Sequence, residues 1–261
     1  MTTTDYERNM VNATKTDFNV IGTRPVRHDG TDKVTGRALY GADFDTSGLL
    51  HGKILRSPHA HAIIKSVDTS KAEALEGVKA IVTASDFPEV EEKTGEDETK
   101  LKWLRDNILA SDKALYGGHA IAGVAAVNPH VAEEALNLIQ VEYQVLTPVL
   151  TTQEAMADNA SILHDSLTTE ELGKDTGTVS NVASHFQHVK GDVVKGFSEA
   201  DICIERDFNT TTVHQGYIEP HNGTAFWSAD GRLHVWCSTQ GAFAVRDSLS
   251  DLLDMPVSMI R

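Results

Sequence analysis

Residues 214–240, HQGYIEPHNGTAFWSADGRLHVWCSTQ, carry the clearest structural pattern in the chain. Asp230-Gly231 stands between two apolar runs, and this dipeptide is a strong signal for a β-hairpin. In the second run Leu233, Val235 and Cys237 alternate with other side chains. Alternation with a period of two predicts a strand with one buried face.

Gln240 stands where this strand is predicted to end and a helix to begin. Ligands collect at such places, because free backbone N–H groups and the helix dipole favour anionic or oxo groups. Two interpretations are open from the pattern alone: Gln240 contacts a ligand, or it caps the helix. The helical spacing is carried by four apolar residues, Val245, Leu249, Leu252 and Leu253.

The composition is that of an ordinary globular protein, with 261 residues, 40% hydrophobic and 23% charged. This length suits one large domain or two ordinary ones. The net charge of −15 argues against nucleic-acid binding, which needs clustered Lys and Arg. No apolar run reaches the length of a membrane span, and MTTTDYERNM lacks the apolar centre of a signal peptide. We therefore expect a cytoplasmic protein.

The two cysteines, Cys203 and Cys237, lie far apart and form no C-x-x-C motif. This excludes an iron–sulfur cluster or a zinc ribbon built from this chain alone. Each lies in an apolar strand pattern, so we expect free, buried thiols in a reducing compartment.

The predicted fold class is α+β, in four segments. Residues 1–20 are a polar arm, 21–150 a mixed α/β domain, 151–188 an extended linker, and 189–261 the start of a second domain. The first domain closes with strand, helix and strand, which predicts a βαβ or split βαβ unit. The other predicted elements are strands at 50–56, 62–67, 78–83, 120–127, 141–145 and 202–213, helices at 69–77, 128–139 and 192–200, and an acidic loop at 89–98.

Histidines offer two candidate metal sites. His59 and His61 are two residues apart. They could bind a metal together, but we favour the interpretation that both are partly exposed histidines in a loop. His214, Glu219 and His221 have the residue types of a non-haem iron site, with Glu219 and His221 on one strand face. Their spacing is unusual for such a site, so a hydrogen-bonded polar cluster is favoured. The run Gly48–Lys53 is no phosphate loop, since its spacing is one residue short.

Several segments in order resemble the molybdenum hydroxylase family, the large subunits of xanthine dehydrogenases, aldehyde oxidoreductases and aerobic carbon monoxide dehydrogenases. The resemblance covers about residues 20–261. In the first domain it rests on residues 22–44, 49–68, 77–88 and 116–149. In the second it rests on Tyr217-Ile218-Glu219-Pro220-His221, Asp230-Gly231, Ser238-Thr239-Gln240 and Leu253-Asp254-Met255-Pro256.

The resemblance implies an α/β hammerhead domain followed by an incomplete, mixed α/β molybdopterin-binding domain. It implies that Gln240 contacts the apical oxo ligand of molybdenum and that Gly241 lies close to the cofactor. Phe243 is expected to pack in the core. It makes Glu219 a structural neighbour of the active site and not the catalytic base.

The implied activity is hydroxylation of an N-heterocycle of the xanthine type, or of an aldehyde, with oxygen from water. The implied cofactor is molybdopterin, its cytosine dinucleotide form included, with iron–sulfur clusters and FAD on partner chains. The expected partners are the rest of the molybdopterin-binding subunit, an iron–sulfur subunit and an FAD subunit. The family's glycine-rich cofactor cradle and catalytic glutamate have no counterpart before Arg261, so we expect the isolated chain to be inactive.

Three origins remain open for such a chain: a split-gene subunit, a truncated product or a piece of a processed chain. The alternative function is a non-catalytic scaffold or assembly subunit that completes the cofactor site of a partner.

Overall fold

The computed structural model describes residues 19–88 and 96–261. The chain divides into two compact units, Met1–Phe44 and Asp45–Arg261. In the first unit, helix α1 spans Gly30–Thr35 and ends at Gly36, which has the left-handed conformation. Residues 1–18 of the predicted arm lie outside the described residues, so the arm remains a prediction.

The second unit contains eleven strands and six α-helices among its described residues. The strands are β1 (His51–Arg56), β2 (Ala62–Asp68), β3 (Val78–Thr83), β4 (Lys113–Ala114), β5 (Ala120–Ala126), β6 (Gln140–Val145), β7 (Thr168–Glu171), β8 (Lys174–Val179), β9 (Ser184–His185), β10 (Gly223–Trp227) and β11 (Leu233–Cys237). The helices are α2 (Ser70–Glu73), α3 (Glu96–Ile108), α4 (Pro129–Leu138), α5 (Thr152–Ala155), α6 (Val193–Glu199) and α7 (Ala242–Leu253). The α+β prediction is confirmed.

The main core lies between helix α4 and the antiparallel sheet β1-β5-β3. Strand β5 is a run of small apolar residues that is buried along almost its whole length. Ala132 and Ala135 of α4 are fully buried against it. Small side chains on both elements let the helix axis approach the sheet closely, which explains why this core is rich in alanine.

Helix α4 begins as its sequence predicts. The Asn128 side chain accepts a hydrogen bond from the Val131 N–H at 2.9 Å, and Pro129 occupies the first helical position. Asparagine satisfies one of the free N–H groups at the helix start, and proline has no N–H to leave unpaired.

The predicted βαβ unit is wrong in its pairing. Strands β5 and β6 flank α4 in sequence, but β5 is central in the sheet β1-β5-β3 and β6 lies at the edge of a second sheet, β4-β2-β6. Strand β6 pairs antiparallel with β2, which lies much earlier in the chain. Such pairing is decided by packing between distant segments, which local periodicity does not report.

The expected extended connection at 151–188 is wrong in its secondary structure. A three-stranded sheet, β8-β7-β9, lies there. Asn181 joins it to the preceding loop, since its Nδ2 donates to the Ala155 and Ser161 carbonyls and its side-chain oxygen accepts from the Leu163 N–H. The strands are polar and largely exposed, so they lack the apolar alternation that predicts strands.

Two further expectations fail. The strand predicted at 202–213 is absent, and these residues are exposed. Both cysteines are free thiols, but Cys203 is exposed and Cys237 is only partly buried, whereas both were expected to be buried. Of the predicted acidic loop at 89–98, residues 89–95 lie outside the described residues and 96–98 begin helix α3. Among the described residues no helix is long and apolar enough to cross a membrane.

Gly77→Ala is expected to lower the free energy of unfolding by about 1–3 kcal/mol. Gly77 has a φ of +95°, and a Cβ placed on it would lie 3.0 Å from Cγ2 of Val127. Alanine would therefore meet both backbone strain and a steric contact. Urea unfolding measures the loss. Gly117→Ala is the matched control, because Gly117 lacks a positive φ and faces open space. Equal losses in the two variants would contradict the argument.

Candidate functional site

The candidate site is the loop Ser238–Gly241, between strand β11 and helix α7. The predicted hairpin leads into it: β10 and β11 pair antiparallel around the Asp230-Gly231 turn, where Gly231 has a φ of +82°. Helix α7 spans Ala242–Leu253, with Leu252 buried. The hairpin and the helix of the sequence prediction are thus confirmed, although β11 ends at Cys237, three residues before Gln240.

Gly241 is the N-cap residue of α7, and no side chain caps the helix. The hydroxyl of Thr239 accepts a hydrogen bond from the Gly241 N–H at 3.0 Å and closes the loop. The first backbone bond of the helix runs from the Val245 N–H to the Gly241 carbonyl. The N–H groups of residues 242–244 therefore have no partner within the helix.

Gln240 is exposed, and its side chain makes no hydrogen bond to the described residues. Because Gly241 holds the N-cap position without a side-chain bond, the capping interpretation of Gln240 is wrong. The amide is free to meet a ligand at the N-terminal end of a twelve-residue helix.

Phe243 does not pack in the core as expected. Its side chain is 73% exposed, and the guanidinium of Arg246 lies over its ring, 5.1 Å from the centroid. The two side chains form a cation–π contact on the surface of α7.

Asn222 is a residue of the site that the sequence reasoning missed. Its N–H donates to the Ser238 hydroxyl at 3.3 Å, and its carbonyl accepts from the Ser238 N–H at 3.4 Å. Its side-chain Oδ1 is buried and has no partner among the described residues. The signal was available, since a hairpin centred on Asp230 places position 222 opposite position 238.

The proposed iron ligands are not assembled into a metal site. His214, Glu219 and His221 are exposed and lie in a segment without strands, so the shared strand face is wrong. The Nδ1 of His214 accepts from the Gly216 N–H, and the Tyr217 ring stands edge-on to both His214 and His221, at 5.8 and 5.3 Å. The described part of the chain holds no group of three or more His, Cys, Asp or Glu able to bind a metal ion.

His59 and His61 differ in burial. His59 is partly exposed, as expected, and its ring meets the Tyr143 ring at 5.0 Å. His61 is only 2% exposed, so the expectation of partial exposure is wrong for it. Its Nδ1 bonds the Thr147 carbonyl at 3.0 Å, because strand β6 pairs directly with β2.

The hydrogen-bond donors of the loop fit a cofactor that presents oxo or phosphate groups. The Gln240 amide and the free N–H groups at the start of α7 supply donors of the kind such groups need. The buried Oδ1 of Asn222, which has no partner among the described residues, is an acceptor and would instead take an N–H or O–H group of a ligand. Gly241 and Ala242 are small, so a ligand meets little side-chain bulk at the helix start.

Two family models match the chain. The model described as "Aldehyde oxidase and xanthine dehydrogenase, a/b hammerhead domain" matches residues 35–147. The model described as "Molybdopterin cofactor-binding domain" matches residues 175–261, which contain the whole candidate site.

Two relatives agree with these models. A probable xanthine dehydrogenase component of Bacillus subtilis is 35% identical over 236 residues, which cover 90% of this chain and 29% of the relative. The nicotinate dehydrogenase large molybdopterin subunit of Eubacterium barkeri is 30% identical over 245 residues, which cover 94% of this chain and 53% of the relative. The chain therefore spans between about a third and a half of these relatives.

A solved structure shows the same fold. The reconstituted CO dehydrogenase from Oligotropha carboxidovorans superposes with a TM-score of 0.72 and 27% identity, over 92% of this chain and 30% of that chain. The two matches thus define a hammerhead domain followed by a molybdopterin cofactor-binding domain. The chain belongs to the molybdenum hydroxylase family.

Proposed function

We propose that this chain is part of the molybdopterin-binding large subunit of a molybdenum hydroxylase. The reaction is the oxidative hydroxylation of an N-heterocycle of the xanthine type, or of an aldehyde, with oxygen from water. The single observation that carries the proposal is the cofactor-binding match at 175–261, which encloses the open Ser238–Gly241 loop. The names of the xanthine and nicotinate dehydrogenase relatives support a heterocyclic substrate.

The residues of the loop have distinct roles in this proposal. The amide of Gln240 would donate a hydrogen bond to an oxo group of the cofactor and so orient it. Gly241 lies against the cofactor, where its lack of a side chain permits close approach. Asn222 positions Ser238, and thereby the loop, through the two hydrogen bonds between them. The molybdenum cofactor itself supplies the two-electron oxidation and the oxygen-transfer chemistry when bound.

The proposed cofactor is molybdopterin, its cytosine dinucleotide form included, and the proposed site of action is the cytoplasm. Iron–sulfur clusters and FAD, on an iron–sulfur subunit and an FAD subunit, would accept the electrons of the oxidation. The remaining part of the molybdopterin-binding subunit completes the site, so the isolated chain is inactive.

The proposed domain division is an arm at 1–20, a hammerhead domain at 21–150, a linker at 151–188 and the cofactor-binding domain from 189. The first family model, at 35–147, lies inside the proposed hammerhead domain. The second begins at 175, inside the proposed linker, where strand β8 begins with Lys174.

The complex purified through an affinity tag on this chain is expected to contain molybdenum and a pterin in equal amounts. Metal analysis and the fluorescence of the oxidised pterin after denaturation measure both. The complex is also expected to oxidise a purine, a pyridine carboxylate or an aldehyde with an artificial electron acceptor. A complex without molybdenum would overturn the proposal. Molybdenum and pterin that stay bound to a partner chain after this chain is removed would favour the scaffold alternative.

A further inference from the structure

The segment at 189–218 exposes an unusual number of large apolar side chains. The side chain of Phe208 is 86% exposed and that of Ile218 is fully exposed, and a folded protein rarely leaves such an apolar surface uncovered. The exposed residues are Val189, Val193, Val194, Phe197, Ile202, Ile204, Phe208, Val213, Tyr217 and Ile218.

Residues 201–213, DICIERDFNTTTV, show the alternation of a strand within this surface. Ile202, Ile204 and Phe208 fall on one face, are 78%, 74% and 86% exposed, and share that face with Arg206. Glu205 and Asp207 fall on the opposite face, so the segment has one mainly apolar side, interrupted by Arg206, and one acidic side.

The backbone of this segment has no partner in the part of the chain that the structure describes. No residue from 204 to 213 forms a backbone hydrogen bond there, and none belongs to a sheet. By contrast, the apolar strand β5 pairs along both edges with β1 and β3. Unpaired N–H and C=O groups beside exposed apolar side chains form a template for another strand.

We propose that residues 201–213 form a β-strand by pairing with a strand from the part of the molybdopterin-binding subunit that this chain does not span. The proposal rests on the proposed function. The segment lies inside the cofactor-binding match, and the chain spans only 29% of the Bacillus relative and 30% of the CO dehydrogenase chain. Most of the length of these proteins thus lies outside the matched region.

The charge of the segment defines the chemistry of its partner. The partner strand places apolar side chains on the face of Ile204 and Phe208, and Lys or Arg opposite Glu205 and Asp207. A second copy of this chain is a poor partner. Antiparallel self-pairing centred on Arg206 places Glu205 against Asp207 of the copy, and each chain carries a net charge of −15.

Hydrogen exchange of the tagged native complex, followed by mass spectrometry, tests the pairing without any mutation. The amides of 202–213 are expected to exchange about 10²-fold or more slowly than an unpaired chain, as do those of β5 at 120–126. Exchange of 202–213 within seconds, while β5 stays protected, would overturn the proposal.

Two variants test the role of the apolar face. Phe208→Asp is expected to reduce recovery of the partner chains at least about 10-fold, the effect of placing a charge in an apolar contact, and Phe208→Leu to restore it. Asn209→Asp is the matched control, because it adds the same charge at the next position, on the polar face. Equal loss in Phe208→Asp and Asn209→Asp would contradict the pairing.

A short thiol–amine cross-linker attached to Cys203 identifies the occupant, because Cys203 lies within the segment and is a free, exposed thiol in this structure. The expected cross-link joins Cys203 to a lysine of the rest of the molybdopterin-binding subunit. A cross-link to a second copy of this chain would overturn the proposed partner. Failure of the two proposals is distinguishable: absence of molybdenum counts against the function, whereas molybdenum with an unprotected 202–213 counts against the strand pairing alone.

Discussion

Gln240→Ala is expected to lower the kcat of the complete complex about 10²-fold, the usual cost of losing one hydrogen-bond donor to a reacting centre. Gln240 is exposed in the loop and bonds to none of the described residues, so its loss removes no contact that holds the fold. Molybdenum content and the thermal unfolding midpoint are therefore expected to stay unchanged. Steady-state kinetics and metal analysis on the same preparation separate these effects.

Three further variants make the result specific. Gln240→Glu keeps the size of the side chain but replaces the donor NH₂ group with a carboxylate oxygen. Its kcat should therefore fall at least as far as that of Gln240→Ala. Gln240→Asn keeps the amide on a shorter side chain, so its kcat should lie between those of the wild type and Gln240→Ala. Gln187→Ala removes another exposed glutamine and should leave turnover unchanged. Full turnover in Gln240→Glu would show that no donated hydrogen bond is at work.

His119→Ala is expected to lower the free energy of unfolding by about 3–5 kcal/mol. The side chain is fully buried and stacks on the Tyr116 ring at 4.4 Å. Its Nδ1 accepts from the Leu115 N–H at 3.2 Å, so Nε2 carries the proton and donates to the Asp106 carbonyl at 2.7 Å. That carbonyl lies in the last turn of α3, where carbonyls lack partners within the helix. Alanine leaves a cavity and two unpaired backbone groups.

Urea unfolding of these variants separates volume from hydrogen bonding. His119→Phe refills the cavity but restores neither hydrogen bond, so it should recover part of the loss only. His130→Ala is the matched surface control, because His130 is exposed on α4, and it should change stability by less than about 0.5 kcal/mol. A loss in His119→Ala no larger than that of His130→Ala would refute the structural role.

The same histidine predicts how stability depends on pH. Burial lowers the pKa of His119 below its usual 6.5, and burial likewise lowers the pKa of His164. Below pH 6.5 the unfolded chain therefore binds protons that the folded chain does not. As the pH is lowered, the free energy of unfolding decreases until the pH lies below the pKa values of the folded chain. Above about pH 7.5 this contribution is constant. His119→Phe should show a shallower fall between about pH 7 and 5, and parallel curves would contradict the assignment.

The local signals in the chain predicted structure well because each depends on residues a few positions apart. Asp230-Gly231 forms the hairpin turn, and Asn128-Pro129 begins α4. Gly77 has a positive φ, but the helix that it was predicted to end stops earlier, at Glu73. The site loop was located in the same way, although the residue that caps α7 was not: Gln240 was considered as the cap, and Gly241 holds that position.

The failures are those in which distant segments decide the outcome. The pattern of strands β5 and β6 predicts one unit, yet each pairs with partners elsewhere in the chain. Strands β7 and β8 were missed because their polar residues carry no apolar alternation. At 202–213 the alternation is present but no strand forms. Alternation places apolar side chains on one face, but a strand also needs a neighbouring strand to bond its backbone N–H and C=O groups.

The sequence alone determined the family, the α+β class and the hairpin that ends at the candidate loop, since these depend on ordered motifs and short-range backbone preferences. Only the tertiary structure decided the division of strands between sheets, the burial of His61 and His119, and the bonds from Asn222 to Ser238. The physical reason is that burial and strand pairing depend on the free energy of contacts between segments far apart in the chain, which no local pattern records.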